Sequence, residues 1–176
     1  VGLLVAGGSP EPLYSGGGQE GGLRPGTENT AGIAAMGFAL DLAARDREKN
    51  LDHARNLAAA LVDGLGICRQ CRVLPGDRVL RPRDFSPYIV GLSFPPIPGA
   101  VLVRVMNDRG FGISTGSACS SRRRGDTRVL EGSGISREDA FSSVRVSFGP
   151  DTTEKDVLAF VRDLRAEVRI LFKVAR

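Results

Sequence analysis

The stretch SSVRVSFGPDTTEKDVLAFVRDLRAEVRILF, residues 142 to 172, decides the fold class. Its first part alternates. Val144, Val146 and Phe148 fall on one side and Arg145, Ser147 and Gly149 on the other, the two-residue period of a half-buried strand. Its second part changes period: Val157, Phe160, Val161, Leu164, Val168 and Leu171 recur at helical spacing behind a Thr-x-x-Asp/Glu capping pattern. A strand feeding a helix with one apolar stripe predicts a sheet covered by helices, an α/β unit.

The same logic extends upstream. CRVLP (71–75), YIVGLSF (88–94) and GISTG (112–116) read as further strands, rich in β-branched residues and bounded by Gly or Pro. Between the last two, GAVLVRVMNDRG (99–110) places Val101, Leu102, Val105 and Met106 on one helical face. From Thr30 the pattern is helical, with Ile33, Met36, Phe38, Leu40 and Leu42 in an alanine-rich frame, and it continues to Leu65. That is long for one globular helix, so a break is expected between Asp46 and Asn50, with Gly64 and Gly66 as the stop. Residues 2–6, GLLVA, read as a short buried strand, and residues 7–29 as a glycine-rich loop. A loop of that length without periodicity is commonly functional.

The chain has 176 residues, enough for one medium domain or one domain plus a piece of another. Hydrophobic residues at 41% and charged residues at 25% exclude a disordered chain. No apolar run reaches the roughly 20 residues of a membrane span, and the N-terminus lacks the basic region of a signal peptide. A cytoplasmic location is the default expectation. Three cysteines at irregular spacing suit a reducing compartment better than a disulfide framework. Lys49, Lys155 and Lys173 are the only lysines; the other 21 basic residues are arginine, a choice that suits anionic partners and that codon bias also explains.

Several residues carry chemistry. Cys119 lies in GISTGSACSS (112–121), among small and hydroxyl side chains and just before four arginines, Arg122, Arg123, Arg124 and Arg128. Nearby guanidinium groups favour the thiolate, which is the nucleophile; the plainer alternative is a small residue in a turn. Arg145, in the middle of a strand, must meet an anion or reach water. A bidentate grip on a substrate carboxylate and a structural ion pair both satisfy it. The loop GGGQEGGLRPGTEN (16–29) offers backbone N–H groups and the Thr27 hydroxyl ahead of a helix start, a place suited to phosphate, although it matches neither nucleotide-loop pattern. Cys68 and Cys71 have the spacing of a redox or metal pair, but only His53 and Cys119 remain as further ligands and the pair follows a helix end. It reads as structural, with no metal expected. His53, among Asp52, Arg55 and Asn56, reads as a solvated surface residue. The triple arginine lacks aromatic interleaving or a recognition helix, so no nucleic-acid partner is expected.

Three of these pieces, in this order, resemble the cysteine desulfurases, the NifS/IscS-like members of the class-V aminotransferase family of pyridoxal-phosphate enzymes. GGGQEGGLRPGTEN resembles that family's GGGQE-R-G-x-R-x-GT-E-N loop, STGSACSS its S-G-S-A-C-[ST]-S loop in the long-loop branch that feeds cluster scaffolds, and VRVSFGPDTTEKDV its R-[FLV]-S-[FL]-G-x-x-T-T-E-x-[DE] segment. The long segment after Cys119 fits that branch better than selenocysteine lyase. The resemblance implies the fold of a fold-type I pyridoxal-phosphate-dependent transferase. Residues 1–48 would be the tail of its large cofactor-binding domain, and residues 49–176 the small C-terminal α/β domain carrying the Cys119 loop.

Roles follow by position. Cys119 would accept sulfur from L-cysteine as a persulfide, releasing alanine, and pass it to a sulfur-acceptor or scaffold protein for iron–sulfur cluster or thiocofactor synthesis. Arg145 would hold the cysteine carboxylate. Thr27 would bond the phosphate of the neighbouring subunit's pyridoxal phosphate in the family homodimer. The family's cofactor lysine, in a Ser-x-His-Lys context upstream of the glycine-rich loop, has no counterpart here, nor do the histidine that stacks on the cofactor and the aspartate that pairs with its ring nitrogen. The three lysines present stand in the wrong contexts. Smaller departures are Gly21 for arginine, Pro25 for a small polar residue, and Pro150-Asp151 for an Arg-aromatic pair. The resemblance is therefore to the C-terminal portion of a desulfurase, inactive alone and completed by an N-terminal portion that a separate chain can supply. The alternatives are a non-catalytic persulfide carrier or scaffold-docking domain, and an inactive truncated desulfurase.

Overall fold

A computed structural model describes residues 7, 11–66, 68–115 and 127–174. The strand expected at residues 2–6 and Cys119 both lie outside the described residues. The chain divides into two compact units, Val1–Glu48 and Lys49–Arg176.

In the first unit a kinked turn over Gln19–Gly22, with left-handed backbone at Glu20 and Gly21, precedes helix α1, Thr30–Arg45. Asn29 caps α1, its side-chain oxygen accepting from the Gly32 N–H at 3.0 Å. The helix ends where Asp46 leaves helical geometry (φ −97°, ψ 6°), within the span where a break is expected.

The second unit begins in helix α2, Arg47–Leu65, and continues through β1 (Arg72–Leu74), α3 (Asp77–Leu80), a 3₁₀ turn at Pro82–Asp84 and β2 (Ile89–Ser93). Then follow α4 (Gly99–Asp108), β3 (Ser114–Thr115), α5 (Arg128–Gly132), α6 (Arg137–Phe141), β4 (Ser143–Ser147) and α7 (Glu154–Val174). The four strands form an antiparallel sheet in the order β1-β2-β4-β3. The opening stretch of the sequence thus supplies a central strand and the longest helix. Its alternation is realised: Val144, Val146 and Phe148 are buried while Ser147 is exposed and Arg145 half-buried.

Val90 and Leu92 of β2 stand opposite Val146 and Val144 of β4, and this row faces Leu57, Leu61 and Leu65 of α2, Leu102 and Met106 of α4, and Val157, Phe160, Val161, Leu164 and Val168 of α7 in one cluster. On α4 the buried positions are Gly99, Leu102 and Met106, whereas Val101, expected on the apolar face, is 37% exposed. The α7 cap is reciprocal: the Asp156 N–H donates to Thr153 Oγ1 at 3.2 Å, and the Thr153 N–H donates to Asp156 Oδ2 at 2.9 Å.

Three expectations change. Gly64 does not stop α2; it sits inside the helix, where an added Cβ would lie 3.0 Å from Val161 Cγ1, so its smallness lets α2 and α7 approach. His53 is not a solvated residue: it is half-buried, and its Nε2 donates to the Thr152 carbonyl at 2.7 Å, tying α2 to the turn before α7. Residues 120–134, SSRRRGDTRVLEGSG, show no apolar periodicity in sequence, yet their described part holds α5, and α6 follows; both helices are too short for an apolar period to register.

Two stability predictions arise here. Gly99 begins α4 against β4, and a Cβ there would fall 2.1 Å from the Ser143 carbonyl oxygen, with backbone on both sides. Gly99→Ala is expected to cost about 3 kcal/mol in urea unfolding, the upper end of overpacking penalties. Asp139 of α6 accepts from Arg72 Nη1 of β1 at 3.0 Å and from Ser136 Oγ at 2.8 Å, while Ser93 Oγ of β2 donates to its backbone carbonyl at 2.9 Å. Partial burial pushes the Asp139 carboxyl up, but the Ser136 and Arg72 hydrogen bonds and the Arg72 charge outweigh it and hold the group below the usual aspartate range. A carboxyl depressed on folding stabilises the protein above its unfolded pKa of about 3.9 and loses that contribution as pH falls through the folded value. Unfolding free energy should therefore drop as pH falls below about 5, first through the unfolded and then through the lower folded value, and Asp139→Asn should flatten that slope.

Candidate functional site

The placement of β3 begins at the end of α4. Gly110 takes φ +84°, its N–H donating to the Asn107 carbonyl and that of Phe111 to the Met106 carbonyl, both at 2.9 Å. This is the paired 6→1 and 5→2 closure that stops a helix and turns the chain, and glycine adopts the left-handed conformation without steric cost. Phe111 then packs edge-on against Phe160 of α7, centroids 5.4 Å apart, and the chain enters β3 at the sheet edge beside β4.

Across that edge Ser114 stands opposite Arg145, and on the other side of β4 Arg145 stands opposite Gly91 of β2. The row Gly91, Arg145, Ser114 lies on the sheet face away from the Val90, Leu92, Val144 and Val146 row. Both cross-strand neighbours of the half-buried Arg145 are small. Arg145 has no ion-pair or hydrogen-bond partner among the described residues. Cys119 lies four residues beyond Thr115, the last residue of β3, and outside the described residues.

Thr27 belongs to the first unit and Arg145 to the second. The loop around Thr27 is shaped by its own motif residues. Arg24 Nη1 donates to the carbonyls of Gly26 (3.0 Å) and Thr27 (2.8 Å), and the Gly26 N–H donates to Gln19 Oε1 at 3.4 Å. Glu20, Gly21 and Gly22 all have positive φ, and Gly26 reaches +99°. Left-handed backbone at Gly21 accounts for glycine at that departure from the desulfurase pattern. With Arg24 and Gln19 spent on the backbone, the Thr27 hydroxyl is exposed and without a partner among the described residues, two positions before the α1 cap. Sequence reading assigned no role to Gln19 or Arg24; their signal was their fixed place in the quoted loop motif.

The Cys68–Cys71 pair forms a turn after α2, the Cys71 N–H donating to the Cys68 carbonyl at 2.9 Å. Burial first, and the neighbouring Cys68 second, push the Cys71 thiol up to about 12, so it stays protonated at neutral pH. No group of three or more His, Cys, Asp or Glu able to hold a metal occurs among the described residues.

A family model described as aminotransferase class-V matches residues 12–160. The chain belongs to that family. Among curated relatives, a protein of Clostridium botulinum named cysteine desulfurase IscS is 37% identical over 148 residues, covering 82% of this chain and 36% of the relative. A Schizosaccharomyces pombe protein named probable cysteine desulfurase, mitochondrial, is 34% identical over 161 residues, covering 92% of this chain and 31% of the relative. Among solved structures, the NifS-like protein of Rickettsia africae matches with TM-score 0.73 and 26% identity over 90% of this chain and 40% of that one. The class-V chain therefore spans about a third of the length of the curated relatives it matches. Its fold is the α/β fold of NifS-like, fold-type I pyridoxal-phosphate proteins, and no described helix is long and apolar enough to cross a membrane.

Class-V membership implies pyridoxal phosphate, and the residues of this chain meet that group only in part. The Thr27 hydroxyl suits a phosphate oxygen. The lysines do not suit the aldehyde: Lys49 and Lys155 are exposed in the first turns of α2 and α7, and Lys173 is exposed in the last turn of α7. The groove that Lys173 borders is lined by no carboxylate that could pair with a pyridine nitrogen. The described residues do not make a complete cofactor site.

Proposed function

We propose that this chain is the C-terminal portion of a cysteine desulfurase, with residues 1–48 the tail of the cofactor-binding domain and residues 49–176 the small domain. Arg145 binds the carboxylate of L-cysteine, Cys119 receives the sulfur, and Thr27 contributes a hydroxyl to the cofactor phosphate of a neighbouring subunit. The observation that carries this reading is Arg145 itself, a guanidinium at the middle of β4 without an anion among the described residues, opposite Ser114 of β3, whose last residue is four positions before Cys119 in the sequence. Strand-mounted groups hold their geometry better than loop groups, so a planar fork there suits a carboxylate.

The share of the reaction that falls to these residues is sulfur acceptance. The Cys119 thiolate attacks the sulfur of cysteine; an S–S bond forms as the C–S bond breaks, and the carbon skeleton takes a proton and leaves as alanine. The exchange is redox-neutral and leaves a persulfide on Cys119 for an acceptor or scaffold protein. Chemistry at carbon belongs to the portion that holds the cofactor lysine, which is not among these 176 residues.

The purified chain, given pyridoxal phosphate and cysteine, should release no alanine and develop no visible absorbance beyond that of free cofactor. Alanine release should appear on mixing with a chain that carries the Ser-x-His-Lys segment. Turnover by this chain alone would contradict the proposal, and binding of a scaffold without any recoverable turnover would favour the carrier or docking alternative.

A further inference from the structure

A groove of about 440 Å³ opens in the second unit between the turn after α2 and the C-terminal half of α7. Its rim carries Arg69, Arg165, Arg169 and Lys173, and its floor is Val168 and Phe172. None of the four cations has an ion-pair partner among the described residues. Carboxylates are close in sequence but taken: Asp163 pairs with Arg162 and Glu167 with Arg109. Arg165, Arg169 and Lys173 recur every fourth residue, a ridge of like charges that weakens an isolated helix. The helix dipole accounts for Lys173 in the last turn, but not for Arg165 two turns earlier. We propose that this groove docks an acidic polypeptide segment of a partner protein, two or three carboxylates meeting the arginine ridge and an apolar side chain resting on Val168 and Phe172.

Peptide fits better than nucleic acid because, among the described residues, the charge does not extend as a stripe. Arg162 and Arg109 on the neighbouring surface are neutralised, and one half-buried phenylalanine is no stacking platform. The size lies within the roughly 300–1,000 Å³ of small-ligand clefts, so a few side chains fill it. This inference does not rest on the desulfurase reading.

The test is fluorescence anisotropy of a labelled peptide, acetyl-Glu-Leu-Glu-Glu-Leu-Glu, with the full 176-residue chain. Binding should weaken at least about tenfold in the double variant Arg165→Glu with Arg169→Glu, change less than about twofold in Arg162→Glu, and fall steeply with salt. The glutamine version of the peptide should not bind. Unchanged binding in the double variant, equal loss in Arg162→Glu, or equal binding of the glutamine peptide overturns the proposal. So does displacement by acetate, phosphate or a single-stranded oligonucleotide at or below the concentration at which unlabelled peptide competes; the first two would indicate a small-anion site, the last a nucleic-acid site. Amide shifts of the unsubstituted chain need no variant: changes confined to residues 68–70 and 165–173 support the groove, and changes elsewhere overturn it.

Discussion

Replacing Cys119 by alanine should abolish sulfur transfer in the reconstituted enzyme, a loss of several orders of magnitude, as expected when a covalent nucleophile is removed. The expectation is sharp because the chain holds only two other sulfurs that could substitute, Cys68 and Cys71. Cys71 is disqualified by its thiol, pushed up to about 12 by burial and by Cys68, which leaves almost no thiolate at neutral pH. Both cysteines pack against the hydrophobic cluster beside α2 and α7. Cys71→Ala should therefore leave alanine release unchanged, while Cys119→Ala should eliminate it with cofactor absorbance retained. The pair of variants separates loss of the acceptor from loss of folding.

The second large effect is expected at Arg145. Truncating one partner of a hydrogen-bonded charge pair costs about 2–4 kcal/mol, so Arg145→Ala should lower kcat/KM for cysteine roughly 30- to 1,000-fold. Most of that loss should appear in KM, because the carboxylate is held equally in ground and transition states. Arg145→Lys should recover part of the affinity through charge but not the fork geometry. Stability should hardly move, since the side chain has no ion-pair partner among the described residues and lies off the buried face of β4. A kcat/KM loss accompanied by an equal loss of unfolding free energy would point instead to a structural role.

The fold was legible where the period was long. The α7 stripe, the β4 alternation and the Thr153–Asp156 cap are local patterns, and each is present in the structure as its residues predict. Legibility failed where a residue's neighbour is distant in sequence. Gly64 reads as a helix stop until Val161 is seen 3.0 Å from its missing Cβ, and His53 reads as solvated until Thr152, ninety-nine positions away, accepts its hydrogen bond. A turn of the chain, not a distant neighbour, hid Arg78: it is buried, donates to the Ser86 carbonyl at 2.5 Å and lies 5.8 Å from the Phe85 ring centroid, with desolvation lowering its pKa. For the site, motif order singled out Thr27, Cys119 and Arg145, whereas the pairing of Ser114 with Arg145 depends on strand register, which no local pattern in β3's two residues could encode. The basic groove was equally hidden, because its rim joins residues 69 and 165–173 across the unit.

The most direct test of the sulfur-acceptor assignment is a mass measurement on the peptide that contains Cys119. The reconstituted enzyme is given one equivalent of radiosulfur-labelled cysteine without an acceptor, alkylated under non-reducing conditions and digested. The account predicts one added labelled sulfur atom on the Cys119 peptide, none on the peptide carrying Cys68 and Cys71, and release of one alanine per label. Alanine released while the Cys119 peptide stays unmodified, or label found at Cys68 or Cys71, would contradict it.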